Sequence, residues 1–180
     1  MYVMWEKYKA LIVIAGLTII TFAVFWQVRS FEFINYDDNR YVTANQHIVT
    51  GLTIDNIIWA FSSSHYFMWH PMTSISHMLD CQFFDLNSGW HHVTNLFLHI
   101  ANALLLFGVL KTMTGRLWPG AFIAAVFALH PLNVESVAWV AERKTVLSGF
   151  FWMLTLAAYL KYVKLPKTSN YLLLIGVFSL

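Results

Sequence analysis

From Ala10 to Gln27 the chain carries no charged side chain and is apolar almost throughout. In hydrocarbon, a lone segment of this kind satisfies its backbone N–H and C=O groups internally only as an α-helix. About 20 apolar residues cross the roughly 30 Å hydrocarbon core of a bilayer. Similar runs follow at Val93–Leu110, Leu117–His130 and Thr145–Leu160, and a fifth begins near Ser169 and is still apolar at Leu180. The expectation is an all-α membrane protein with multi-pass transmembrane helices. Its spans lie at about 10–27, 93–110, 117–130, 145–160 and, incompletely, 169–180, with a long outer loop over 28–92. Because the last run ends in mid-span, the chain reads as the front part of a longer protein. Composition agrees: 58% of residues are hydrophobic and 11% charged, against about a quarter charged in a soluble domain.

The first run is too long for the core of a signal peptide. Gln27-Val-Arg-Ser-Phe-Glu offers no small-residue cleavage site, so the run reads as an uncleaved anchor. Positive charge sets the orientation. With the N-terminus cytoplasmic, that side receives Lys7, Lys9, Lys111, Arg116, Lys161, Lys164 and Lys167. The outer side receives Arg29, Arg40, Arg143 and Lys144, and the acids from Glu32 onward. The bases border the membrane, so the net charge of +2 gives no reason to expect a nucleic-acid partner. Membrane lipids are the expected surroundings. The single cysteine, Cys81, cannot form an internal disulfide.

The outer loop is too long to be a mere connector. Thr53 can cap a short helix over Asp55–Phe61. After His70-Pro71 a second helix is expected over about Met72–Phe84, with Met72, Ile75, Leu79 and Phe83 on one face and His77 and Asp80 on another. Trp59, Phe67, Trp69 and Trp90 suit a loop lying along the membrane surface. A further outer element, Asn133–Lys144, carries an apolar stripe of Val134, Val137, Ala138 and Ala141. It reads as an interfacial helix that puts Arg143 and Lys144 at the headgroup level.

Four groups of residues invite chemistry. The adjacent acids Asp37 and Asp38 follow the first span, among Phe31, Phe33, Ile34, Tyr36 and Tyr41. Carboxylates beside a bilayer cost desolvation energy, so they mark a partly buried site, against the plain alternative of a solvated acidic turn. If a divalent ion is used, Asp37 and Asp38 are the candidate ligands, since oxygen donors suit magnesium or manganese. The histidines at 70, 77, 91 and 92 invite a zinc site built from histidine alone, but they show neither an HExxH pattern nor Cys/His ligand spacing, and the reading preferred over that alternative is interfacial anchors. Asn95, His99 and Asn102 share a face of the second span and read as helix–helix hydrogen-bonding groups. Arg143 and Lys144 either snorkel to the interface or grip a lipid phosphate. No Gly-rich phosphate loop or GxSxG elbow is present, which removes nucleotide-binding and serine-hydrolase readings.

Four runs taken together carry a family resemblance. They are Tyr36-Asp-Asp-Asn-Arg-Tyr, Trp69-His-Pro-Met-Thr-Ser-Ile-Ser-His-Met-Leu-Asp-Cys-Gln, His91-His-Val-Thr-Asn-Leu-Phe-Leu-His-Ile-Ala-Asn-Ala-Leu-Leu and Phe127-Ala-Leu-His-Pro-Leu-Asn-Val-Glu-Ser-Val-Ala-Trp-Val-Ala-Glu-Arg-Lys. From about Phe33 to Leu180 the chain resembles the N-terminal membrane part of bacterial tetratricopeptide-repeat proteins. Those are relatives of the transmembrane and tetratricopeptide-repeat O-mannosyltransferases, membrane glycosyltransferases with the GT-C fold. The family's later spans and repeats are not in this sequence, and Thr145 stands where the family pattern suggests Asp.

The resemblance implies transfer of a hexose, mannose first, from a polyprenyl-phosphate donor to a hydroxyl of a protein Ser/Thr or a glycan. The reaction would take place on the outer face of a bacterial inner membrane. It assigns Asp37 as general base, Asp38 as its helper, and Arg143, Lys144 and Arg40 to the donor phosphate. The rival reading is a non-catalytic polyprenyl-lipid-binding transporter or flippase module, or a membrane anchor for a repeat domain.

Overall fold

The computed structural model describes residues 2–64 and 68–180, so Phe67 lies outside the described residues. The described chain is helical, with no β-strand among the described residues. In chain order the α-helices are α1 (Tyr2–Phe25), α2 (Gln46–Val49), α3 (Ile54–Ser62), α4 (Pro71–Phe84), α5 (Ser88–Thr114), α6 (Leu117–Leu129), α7 (Asn133–Ala138), α8 (Arg143–Lys164) and α9 (Thr168–Phe178). Three continuous helical stretches are long and apolar enough to cross a membrane: Lys7–Ser30, Ser88–Thr114 and Val140–Lys164. The other two expected spans form shorter apolar helices, α6 with 13 residues and α9 with 11. At 1.5 Å per residue α6 reaches roughly 20 Å, short of a hydrocarbon core.

The chain divides into two compact units. The first comprises Met1–Phe25, Leu98–Asn133 and Ser148–Leu180. Its core joins Ala10 and Leu17 of α1, Phe107 of α5, and Leu117 and Ala124 of α6, with Ala121 and Ala125 packed against them. Small residues let helix backbones approach closely, which drives packing where lipid supplies no hydrophobic contrast. The end of α6 follows from one residue. Pro131 has no N–H, so the Phe127 carbonyl loses its helical donor. The Asn133 side-chain amide donates to it instead. The next orphan carbonyl, Ala128, accepts from His99 Nε2 at 2.9 Å. His99 thereby performs the interhelical bonding expected of its face.

The second unit comprises Trp26–Phe97 and Val134–Leu147. Its apolar core is Val42, Ile48, Ala60, Met78, Cys81 and Val140. Thr53 caps α3 as expected, its hydroxyl accepting from the Asn56 N–H at 3.1 Å. The Asn56 side chain donates to Thr50 Oγ1 and to the Gly51 carbonyl. Gly51 makes that turn with φ +78°, in the left-handed region where glycine carries no steric cost.

Helix α4 occupies the expected residues. Thr73, His77, Met78, Asp80 and Cys81 are buried, whereas Leu79 is exposed and Phe83 is 72% exposed. His77 and Asp80 thus point into the unit beside Met78 and Cys81, Ile75 packs against the same core, and Leu79 and Phe83 are left outside it.

The second outer element also differs from expectation. Instead of one helix over Asn133–Lys144, α7 stops at Ala138 and Trp139 is extended. A short 3-10 turn, Val140–Glu142, then leads into α8, so Arg143 and Lys144 open a membrane-length helix.

Near the start of α5, Gly89 lies against the backbone of Arg29, where an added Cβ would collide with the Arg29 carbonyl oxygen. Backbone cannot yield as a side-chain tip can. Gly89→Ala is therefore expected to destabilise the protein by about 1–3 kcal/mol, read as a lowered Tm in detergent. Gly108→Ala, with nothing within 4 Å of its Cβ position, should not.

Candidate functional site

The break at Trp139 frees backbone groups, and side chains from two other elements take them. The Ala141 N–H donates to Asp38 Oδ1 at 2.8 Å, and the Trp139 carbonyl accepts from the Asn95 amide at 2.9 Å. Asp38 Oδ2 meanwhile accepts from the Ile34 N–H at 2.8 Å. Asp38 is fully buried with both oxygens engaged. It ties the turn after the first span to the break before α8.

With the break held, Arg143 turns its side chain inward and is 0% exposed. Its Nε donates to Asn95 Oδ1. Its Nη1 donates to Ser76 Oγ at 2.8 Å. Its Nη2 donates to Asp80 Oδ2 at 2.7 Å and to the His91 carbonyl at 2.8 Å. Asp80 Oδ1 accepts in turn from the Thr94 hydroxyl. Four of the five N–H donors of Arg143 thus face protein acceptors.

The other expected residues lie outward. Asp37 is half-buried, and its carboxylate accepts no hydrogen bond among the described residues. Its backbone carbonyl holds the Arg40 and Tyr41 N–H groups at 2.9 Å. Lys144 pairs with Glu142 at 2.9 Å and lies over the rings of Tyr41 and Trp139, 5.3 and 6.0 Å from their centroids. Arg40 and Tyr41 line a small pocket with His70 and Ser74. Burial, and then the charge of Lys144, lower the His70 pKa. Tyr41 is thus common to these groups: Lys144 lies over its ring, its N–H donates to the Asp37 carbonyl, and it lines the small pocket with Arg40.

Sequence reasoning set aside the histidines, yet the structure brings His77 and His91 together with Asp80. Their potential ligand atoms all lie within 4.8 Å of one another, and all three residues are buried. Burial, reinforced by Arg143 and His91, holds the His77 pKa well below the ordinary imidazole range. In the same surroundings burial and Asp80 push the Cys81 thiol up to about 11. The available signal was the His77-x-x-Asp80 spacing, which places both side chains on one helical face. Asp37 and Asp38 belong to no such group of three among the described residues.

Fold and composition define an all-α membrane protein. Its sequence is similar to proteins named as protein O-mannosyl-transferases. It is 26% identical over 143 residues to protein O-mannosyl-transferase Tmtc2 of Drosophila melanogaster, covering 75% of this chain and 15% of the relative. To the human TMTC2 protein it is 27% identical over 135 residues, covering 71% of this chain and 16% of the relative. To human TMTC4 it is 28% identical over 192 aligned positions, covering 92% of this chain and 24% of the relative. The chain thus spans between 15% and 24% of the length of these curated relatives. No family model matches the chain, and no solved structure matches it.

Removing one partner of a buried ion pair strands the other charge, at about 3–5 kcal/mol. Arg143→Leu is expected to destabilise by that order. Arg143→Lys should recover little, because an ammonium cannot reproduce the planar fork. In Asp80→Asn/Arg143→Leu the loss should be smaller than the sum of the two single losses. Denaturant or thermal unfolding in detergent would measure all four proteins.

Proposed function

We propose that this chain is part of a glycosyltransferase that moves a hexose, mannose first, from a polyprenyl-phosphate donor to a protein Ser/Thr hydroxyl. The reaction takes place on the non-cytoplasmic face, with the N-terminus cytoplasmic and, for a bacterial protein, in the inner membrane. The observation that carries the reading is the similarity to named O-mannosyl-transferases over most of this chain, a segment that includes the Asp37 turn. The geometry adds support: of the acid pair, Asp38 has both carboxylate oxygens engaged, whereas the Asp37 carboxylate accepts no hydrogen bond among the described residues.

In this mechanism the acceptor oxygen attacks the anomeric carbon as the bond from that carbon to the donor phosphate breaks. The hydroxyl proton passes to Asp37, and the polyprenyl phosphate leaves with the bonding pair. A phosphate leaving group needs no general acid, so one carboxylate suffices. A single displacement inverts the anomeric carbon. Lys144 and Arg40, both around Tyr41, stabilise the negative charge that grows on the phosphate. Asp38 and Arg143 act as positioning residues, holding the turn and the start of α8 on which those groups stand. This allocation gives Arg143 an indirect part in place of a phosphate contact.

Asp37→Asn should reduce transfer of labelled hexose from a polyprenyl phosphate to a Ser/Thr acceptor by about 10²–10⁴-fold. It should leave stability within about 0.5 kcal/mol, because Asn has the same shape and the carboxylate accepts no hydrogen bond among the described residues. Asp38→Asn should lower both together. Wild-type transfer by Asp37→Asn would remove the base assignment. Lipid binding without transfer by the wild type would favour the non-catalytic module.

A further inference from the structure

His91 has its proton placed by its surroundings. Nε2 lies 3.0 Å from the Asp85 carbonyl, which can only accept, so Nε2 carries the hydrogen. Nδ1 is then a bare lone pair, and it faces Asp80 Oδ2 at 3.7 Å with no hydrogen-bond partner. Two electron-rich atoms pointed at each other in a buried space repel unless something positive joins them. Arg143 compensates that oxygen, its Nη2 donating to Asp80 Oδ2 at 2.7 Å and to the His91 backbone carbonyl, but it leaves the imidazole nitrogen without a partner among the described residues.

His77 sharpens the question. It is 0% exposed, and neither ring nitrogen has a hydrogen-bond partner among the described residues. Its ring stacks on His91 with centroids 6.2 Å apart. Leaving a buried polar group unpaired costs about 1–3 kcal/mol, and Leu or Phe would fill the same space without that cost. The buried face of α4 is therefore built around a histidine whose nitrogens find no protein partner, next to one whose lone pair faces a carboxylate.

We propose that His77, Asp80 and His91 bind a divalent transition-metal ion, zinc first, that fastens α4 to the start of α5. Two imidazoles and one carboxylate are an established zinc ligand set. The mixed nitrogen and oxygen donors, with no thiolate, exclude the softer ions and disfavour calcium and magnesium. Zn–N bonds of about 2.0–2.1 Å set tetrahedral ligands roughly 3.3 Å apart, so small side-chain rotations close the present group onto the ion. The supporting shell is already there. The Asp85 carbonyl orients His91 through its other nitrogen, as outer partners of ligating histidines do. Thr94 and Arg143 hold the two oxygens of Asp80. A dication beside Arg143 exceeds the charge of one carboxylate, so the fourth coordination position goes to hydroxide or water.

This proposal is independent of the transferase reading, because its readout is the metal. The protein is purified in detergent without chelator, and bound metal is measured by mass spectrometry. It is then stripped with a chelator and titrated with Zn²⁺ while Tm is followed, and with Co²⁺ while the visible spectrum is followed. The expected results are about one zinc per chain, a saturable rise in Tm of several degrees, and a tetrahedral Co²⁺ spectrum. His77→Leu decides between the readings. As loss of a ligand it lowers zinc to background and Tm to that of the stripped protein. As removal of an unpaired polar group it leaves Tm unchanged or raises it. Background zinc in the wild type, no response to Zn²⁺ or Co²⁺, and a His77→Leu protein at least as stable as wild type would overturn the site. Should His77→Leu not fold, the wild-type measurements decide alone, and the absence of retained metal and of a Co²⁺ spectrum overturns it.

Discussion

A guanidinium with no exposure to solvent must find acceptors inside the protein, and that requirement organises the second unit. Isolated, such a charge would cost several kcal/mol of desolvation. Arg143 meets it with two i, i+4 pairs: Ser76 and Asp80 from α4, His91 and Asn95 from α5. Residues four apart lie on one helical face, so each helix presents a matched pair of acceptors to the fork. The planar geometry of Arg then fixes the register of α4 against the start of α5. The apolar contacts around Met78 and Cys81 add area to an arrangement that the charge has already chosen.

The acid pair illustrates how neighbours in sequence part company in space. Successive side chains on a helical turn diverge by about 100°. If one faces the interior, the next cannot. Asp38 is the inward one, and the extended residue at Trp139 gives it something to do, since a broken helix leaves N–H groups in need of an acceptor. Asp37 is consequently left half-buried, its backbone carbonyl accepting from the Arg40 and Tyr41 N–H groups. The outward carboxylate can take part in chemistry because the inward one has taken over the structural task.

What was legible in the sequence was local. The apolar run Ala10–Gln27, the Thr53 cap, the start of α4 at Pro71 and the polar face Asn95/His99 all rest on interactions within a few residues or on composition. Two features were not legible. The break at Trp139 has no Gly or Pro to announce it, and it is stabilised by Asp38 and Asn95, which lie far away in sequence. Nor does anything local say that Arg143 points inward. A basic residue at the border of an apolar run looks the same whether it snorkels or is buried, and only the distant Asp80 distinguishes the two.

The burial of His77 and Asp80 on α4 has a physical explanation that also bears on the site. In a water-soluble protein an amphipathic helix turns its apolar stripe to the core because water is the only alternative. Beside a bilayer the alternative is lipid, and Leu79 and Phe83 can be satisfied there without entering the unit. The interior position is then open to Thr73, His77 and Asp80, provided their polar atoms find partners. Asp80 finds them in Arg143 and Thr94, while the nitrogens of His77 find none among the described residues. A membrane-facing helix can thus concentrate ionisable groups in a space shielded from water, where each unpaired lone pair and each charge counts for more than it would in solvent. That is the setting in which the start of α8 is held, and with it Lys144 and the turn of Asp37.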